Sequence, residues 1–276
     1  MPVTQAETPN SLLSKKLSTV VFFALATYAN IQYGIATSHS DHDGPDWIHT
    51  NAFSASSIFI FIFWILTFGF QLLYLSQVFS AEPAAISGSI TYHFSVFNIL
   101  HFLWAWLFAR GHLVLALVVT AANFFNVLAL YISHKTYSLR PASNFIFIHV
   151  PVSALPLAWT FYNIFWTGAA AFHANGLLAR IIANVLIWDF LIVPVLILFF
   201  YRDWAFGFAV QFLTWGIGVH QLFYKVIALQ WGFAFAAAAI TFVLTVLTAV
   251  GLIFKKPAVD QVDAENERAP LISNQN

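Results

Sequence analysis

Cysteine is missing altogether, and charge nearly so: of 276 residues only 8% are Asp, Glu, Lys or Arg. Without a thiol the chain can form no disulfide, iron–sulfur cluster or thiolate zinc site, and it has no cysteine nucleophile. An ordinary soluble domain carries about 25% charged residues, so a soluble fold of this length could not cover its surface with so few. Acidic and basic residues number 11 each, and a net charge of zero gives no global field to attract nucleic acid or anionic substrates. The motifs that bind nucleotides or assemble soluble active sites are also missing. There is no GxGxxG, no P-loop, no HExxH and no GxSxG, so no cofactor is expected.

What the chain has is apolar length. Hydrophobic residues make up 60% of it, gathered into runs near the ~20 residues that a helix needs to cross a bilayer. The runs are 17–37, 52–79, 90–109, 113–132, 144–170, 178–201, 204–224 and 231–254. They are too long for barrel strands and lack strict alternation, and inside lipid only a helix or a closed barrel satisfies the backbone. The expected fold class is an all-α integral membrane protein, a bundle of about eight transmembrane helices. Seven is the alternative, if the first run is a cleaved signal peptide or if the weak boundary at Lys225–Gln230 is no boundary. The expected domains are a cytosolic disordered tail (1–16), the helical membrane domain (17–254) and a second cytosolic tail (255–276).

Eight spans place both termini on one side. If that side is the cytosol, it holds Lys15, Lys16, Lys135, Arg140, Arg202, Lys255, Lys256 and Arg268, leaving Arg110, Arg180 and Lys225 opposite. That bias follows the positive-inside rule. Trp47, Trp104, Trp106, Trp166, Trp204 and Trp231 fall near span ends, as an interfacial aromatic belt would. Trp64, Trp159, Trp188 and Trp215 lie deeper and read as packing.

Polar groups in hydrocarbon are expensive and usually face the bundle or a wet cavity. Asp189, near the middle of the sixth run, is the sharpest case, costing roughly 2.5–3.5 kcal/mol on insertion scales. It is expected to be neutral, paired or hydrated, with His93, His101, His149 and His220 as candidate partners. Helical spacing groups others: Asn98 with His101, and Asn123 with Asn126, at i,i+3. Trp64, Thr67, Gln71 and Tyr74 run along the second span, His149, Pro156 and Asn163 along the fifth, and Arg180, Asn184 and Trp188 along the sixth. These seams are the candidate ligand or proton site, although interhelical hydrogen bonds explain them equally well. The loop that holds His39, His42 and His49 among aspartates has metal-capable side chains, but its spacing matches no standard zinc signature. It reads as a solvated loop, with weak metal binding or pH sensing as the rival. In the tail, Glu267 followed four residues later by Leu271-Ile272 fits an acidic dileucine sorting signal. A cytosolic sorting adaptor is the partner it implies, beside the lipid bilayer and a small-molecule ligand, and a vacuolar or endosomal membrane is the address.

At FIFIHVPVSALPLAW, FWTGAAAF, LLARIIANVLIW and KVIALQWGFAF, and at His93-Phe94 and the NFFN of Asn123–Asn126, the chain resembles a fungal family of multi-pass membrane proteins catalogued only as a domain of unknown function. The resemblance implies a fungal helical membrane protein and supplies no activity, substrate or catalytic residue. The functional expectation from the residues is a transporter-like or small-ligand-binding membrane protein. The rivals are a non-catalytic scaffold or trafficking component, and an intramembrane hydrolase or lipid-modifying enzyme built on His with Asp or Thr.

Overall fold

The computed structural model describes residues 9–33, 51–80, 88–140, 142–174, 176–224 and 226–253. Eight long helices account for nearly all of them: α1 (Pro9–Gln32), α2 (Ser57–Ser80), α3 (Gly88–Ala109), α4 (Leu113–His134), α5 (Ala142–Ala171), α6 (Leu177–Tyr201), α7 (Trp204–Tyr224) and α8 (Gln230–Ala249). There is no strand among the described residues. Two single-turn 3₁₀ helices, Thr136–Ser138 and Val226–Ala228, lie between long helices. The second of these confirms the weak boundary between the last two runs.

Five helices, α2, α4, α5, α6 and α8, are long and apolar enough to cross a membrane. Four bury 28–39% of their spanning window, whereas α5 buries 83%. So α5 is the axis of the bundle and the other four form its wall. Their outward faces carry Ile58, Phe61, Ile65 and Leu72 on α2, Val114, Val118 and Phe125 on α4, and Val185, Ile192 and Phe199 on α6, all exposed. Soluble monomers rarely expose contiguous apolar surface on this scale. The helices α3 and α7 turn Thr91, Asn98, His101, Gln211, Thr214 and Gln221 inward instead.

Three local features shape the interior. Pro151 and Pro156 deform α5, whose Phe145–Ala154 stretch is π-helical. The Leu155 amide bonds the Val150 carbonyl, five residues back. A proline lacks the amide that a regular turn needs, and the wider turn accommodates its ring. Next, α6 tightens to three-residue bonds from Val185 to Leu191, so that Asp189 opens its second half. Finally, residues 51–55 are buried without being helical. They are tied down by Gln221 Nε2 to the Asn51 carbonyl (2.9 Å) and by the Ser56 amide to the Gly216 carbonyl (2.9 Å). Irregular backbone at such depth is tolerated only where protein surrounds it.

Two expectations need correction. α1 begins at Pro9, before the basic pair, rather than at residue 17. Proline suits a helix's first turn, where its missing amide costs nothing. Trp104 and Trp166 are 1% and 3% exposed and pack inside the bundle, so they are not belt residues. The indole of Trp104 donates to Thr167 Oγ1 at 3.0 Å, which fixes it inward.

Candidate functional site

Two polar clusters stand inside the bundle. The first, the chamber, is a cluster of aromatic side chains from α2, α3 and α5. The Trp64 and His101 rings lie 4.2 Å apart, Trp64 and Trp159 4.9 Å, and His101 and Trp159 6.0 Å. Trp104 closes the group at 5.3 Å from His101 and 5.8 Å from Trp159. Trp64 belongs to the i,i+3,i+7,i+10 stripe of α2, of which Trp64, Thr67, Gln71 and Tyr74 are all buried; Tyr74 packs farther along, on Phe94 at 4.8 Å. Asn98 and His101 are buried on one face of α3.

The His101 tautomer follows from its neighbour. Asn30 Nδ2 donates one hydrogen to the Ala26 carbonyl (2.9 Å) and the other to His101 Nε2 (2.8 Å). Nε2 therefore accepts, and Nδ1 carries the proton. Among the described residues, that Nδ1–H, Trp64 Nε1–H and Trp159 Nε1–H find no hydrogen-bond partner, and neither do the Gln71 amide nor Asn98 Oδ1. A buried donor left unpaired costs about 1–3 kcal/mol. Beside them a satisfied chain runs from Trp104 through Thr167 to Asn163 Oδ1 (3.0 Å), then from Asn163 Nδ2 to Thr120 Oγ1 (3.1 Å), tying α3, α5 and α4 together.

The second cluster lies where α4 ends and α7 begins. Asp203, His149, Thr136 and Ser153 are fully buried, and Tyr131 is nearly so. Asp203 caps α7, its Oδ1 accepting from the Phe206 amide at 3.1 Å. Its Oδ2 accepts from the Tyr131 hydroxyl at 3.0 Å and lies 3.0 Å from His149 Nε2. At that distance Nε2 makes no aligned hydrogen bond. On the far side of the ring, Thr136 Oγ1 donates to Ser153 Oγ at 2.8 Å, so it accepts from His149 Nδ1 at 2.9 Å. Burial by itself raises the Asp203 carboxyl. The His149 charge, then the Phe206 amide and the Tyr131 hydroxyl, outweigh it and hold the group below the usual carboxylate range.

The residues singled out from sequence separate into these clusters and others. His101 and Asn98 line the chamber, and His149 belongs to the ion pair. Asn123 donates to the Phe97 carbonyl at 3.1 Å. His93 and Asn126 bond each other twice, Nδ1 to Oδ1 at 2.8 Å and Nδ2 to the His93 carbonyl at 3.1 Å. Asp189 is half-buried at the start of the second half of α6, not deep in a continuous helix. Arg180 and Asn184 are half-buried one to three turns before it, and His220 stacks on Tyr224 at 5.7 Å. His39, His42, His49, Glu267, Leu271 and Ile272 lie outside the described residues. Among the described residues no three His, Asp or Glu side chains form a group that could hold a metal ion. Asp203, Tyr131, Thr136 and Ser153 were missed, although an Asp directly before the apolar run 204–224 is a helix-start signal.

Residues 180–272 match the family described as "Fungal protein of unknown function (DUF1774)". The match bears out the resemblance carried by the sequence strings. It takes in Asp189, Asp203 and His220, while His149 and the chamber lie before it. The chain is also similar to a Schizosaccharomyces pombe protein named "Uncharacterized protein C637.03". The two are 28% identical over 216 residues, which cover 74% of this chain and 76% of the relative. No solved structure matches.

Proposed function

We propose that the protein is an integral membrane carrier or receptor for a small uncharged polar molecule, held in the chamber of Trp64, His101, Trp104 and Trp159. The observation that carries this reading is the set of buried, unpaired N–H groups on three touching rings, Trp64, His101 and Trp159. A guest with oxygen acceptors and a flat or apolar face would satisfy the N–H groups and lie against the indoles. Among the described residues, those that form the chamber carry no carboxylate or guanidinium, which disfavours a charged guest. The apolar wall helices support a membrane setting, and the charge bias supports cytosolic termini. The dileucine pattern supports a vacuolar or endosomal membrane.

The test uses full-length protein in proteoliposomes with a panel of polyols, amides, sugars and neutral amino-acid derivatives. Wild type takes up or binds at least one of them. Trp64→Phe and His101→Phe weaken that at least tenfold while the melting temperature in detergent is retained. Unchanged uptake in both variants overturns the reading.

A second reading, an intramembrane hydrolase, has one specific observation in its favour: Asp203, His149 and Thr136 lie in series within hydrogen-bond reach. That is the order of acid, base and hydroxyl nucleophile. Thr136 is fully buried, which favours the first reading. Fluorophosphonate labelling that disappears in Thr136→Val would reverse the preference.

A further inference from the structure

The ion pair is separate from the chamber, and the proposed binding reaction does not use it. Taking two charges out of water is costly, and well-packed apolar residues often replace such a pair without loss of stability. Stability therefore does not explain a charge pair with zero exposure on either side.

The hydrogen bonds define its proton inventory. Asp203 accepts from one amide and one phenol, and its Oδ2 lies 3.0 Å from His149 Nε2. Thr136, having donated to Ser153, must receive a proton from His149 Nδ1. An ionised carboxylate 3.0 Å from Nε2 is attracted to the ring only when that nitrogen carries a proton as well. If that one proton leaves Nε2, the nitrogen brings no positive charge to the carboxylate oxygen 3.0 Å away. The contact then loses its electrostatic attraction.

The surroundings suit that change. His149 and Ser153 both sit on the π-helical stretch of α5, a kind of interruption found often at functional sites. The titratable groups around the pair are Tyr131 from α4, Tyr137 from the 3₁₀ turn and Tyr201 from the end of α6, with Arg202 beside Asp203 in the chain. The Tyr131 ring lies 5.1 Å from Tyr137 and 5.6 Å from Tyr201. Tyr137 is half-buried and Tyr201 is 37% exposed, so a shell one tyrosine thick separates the pair from the outside. Ten residues along the same helix, about 15 Å at 1.5 Å per residue, stands Trp159 of the chamber.

We propose that the His149–Asp203 pair is a proton-binding site loaded and unloaded in the working cycle, so that solute movement is coupled to one proton. The coupling rests on the carrier reading; the proton site does not. The only group transferred in the step is the proton, between His149 Nε2 and water by way of the tyrosine shell, and α5 and α7 separate locally when it goes.

Histidine ¹⁵N spectra of the full-length protein in liposomes, followed from about pH 5 to 8, test the site. One resonance moves between the charged and neutral positions and is shifted in Asp203→Asn. Its assignment comes from its loss in His149→Gln or, if that variant fails to fold, from its displacement in Tyr131→Phe. In parallel, a pH gradient drives uptake of an uncharged solute, about tenfold accumulation per pH unit for one proton. Gradient-driven uptake is lost in Asp203→Asn, while exchange at equal pH persists. A His149 resonance fixed in one protonation state overturns the proton site. Uptake by wild type that ignores the gradient overturns the coupling. A resonance that titrates in a protein that moves no solute overturns the carrier reading and leaves the proton site standing.

Discussion

The glycines of this bundle allow a test of its packing inside one molecule. Gly216 on α7 faces α2: a Cβ placed there would stand 2.8 Å from Phe59 Cβ and 3.3 Å from Ala55 Cβ. Both obstacles are bound directly to backbone, so no side-chain rotation relieves them, and the neighbouring Ser56 amide already ties this strap to the Gly216 carbonyl. Gly69 on α2 is the counterpart, since nothing lies within 4 Å of a Cβ there. Glycine in a helix costs about 1 kcal/mol against alanine, whereas overpacking a filled interior costs about 1–3 kcal/mol. Gly69→Ala should therefore gain up to about 1 kcal/mol, and Gly216→Ala should lose up to about 2 kcal/mol after the same gain is subtracted. Gly218→Ala falls between them, because its Cβ would meet Phe235 ring atoms at 2.6 Å, and a ring can swing aside. The assay is tryptophan-fluorescence melting of each variant in one detergent. The expected order, from lowest to highest, is Gly216→Ala, Gly218→Ala, wild type, Gly69→Ala. A Gly216→Ala protein that melts at or above wild type would refute the packing of α7 on α2.

The polar clusters lead to three more expected outcomes. Asp203→Ala removes the cap of α7 and strands the His149 charge, so it should cost about 3–5 kcal/mol. Asp203→Asn, which still offers acceptors to the Phe206 amide and the Tyr131 hydroxyl, should cost clearly less, and chemical denaturation in micelles measures both. The Asp203 carboxyl titrates lower in the folded protein than in the unfolded chain, where about 3.9 is ordinary. Its stabilisation is therefore complete above that unfolded value and is lost as pH falls through the folded one. Melting temperature should drop below about pH 4 by a component that Asp203→Asn lacks. Thr167→Val takes the acceptor from Trp104 Nε1 and the donor from Asn163 Oδ1, and should cost about 1–3 kcal/mol. Thr160→Val, whose hydroxyl bonds only carbonyls of its own helix, is the control.

The helices were legible because hydrocarbon demands them: runs near 20 residues without alternation leave the backbone one open solution. The α2 stripe was legible for a related reason. When most of a helix is apolar, only its polar residues report which face turns inward, and Trp64, Thr67, Gln71 and Tyr74 are all buried. Hydropathy reports depth along the membrane normal and nothing about rotation round the helix axis. Trp104 and Trp166 were therefore expected at headgroups and stand instead against one another inside the bundle, ring centres 6.0 Å apart. α1 was read as starting late because its first two turns, Pro9–Lys16, are mostly polar, and the reading followed apolar residues.

The two aspartates show where reading by depth fails. Asp189 lies within an apolar run, which makes it the costly acid on any insertion scale. The helix tightens to three-residue bonds just before it, so it stands at the start of a new segment and keeps partial exposure. Asp203 lies at a border, the cheap place for an acid, yet it is wholly buried. A left-handed Arg202 (φ 56°) ends α6 and lets α7 start two residues later, so this short link leaves the carboxylate facing inward. Once inside, it needs a donor from each neighbour, and α4, α5 and α7 supply Tyr131, His149 and Phe206. Asp189→Asn should therefore melt within about 1 kcal/mol of wild type, and Asp203→Asn should be the more damaging of the two. The reverse order would mean that depth, not partnership, sets the cost of an acid in this bundle.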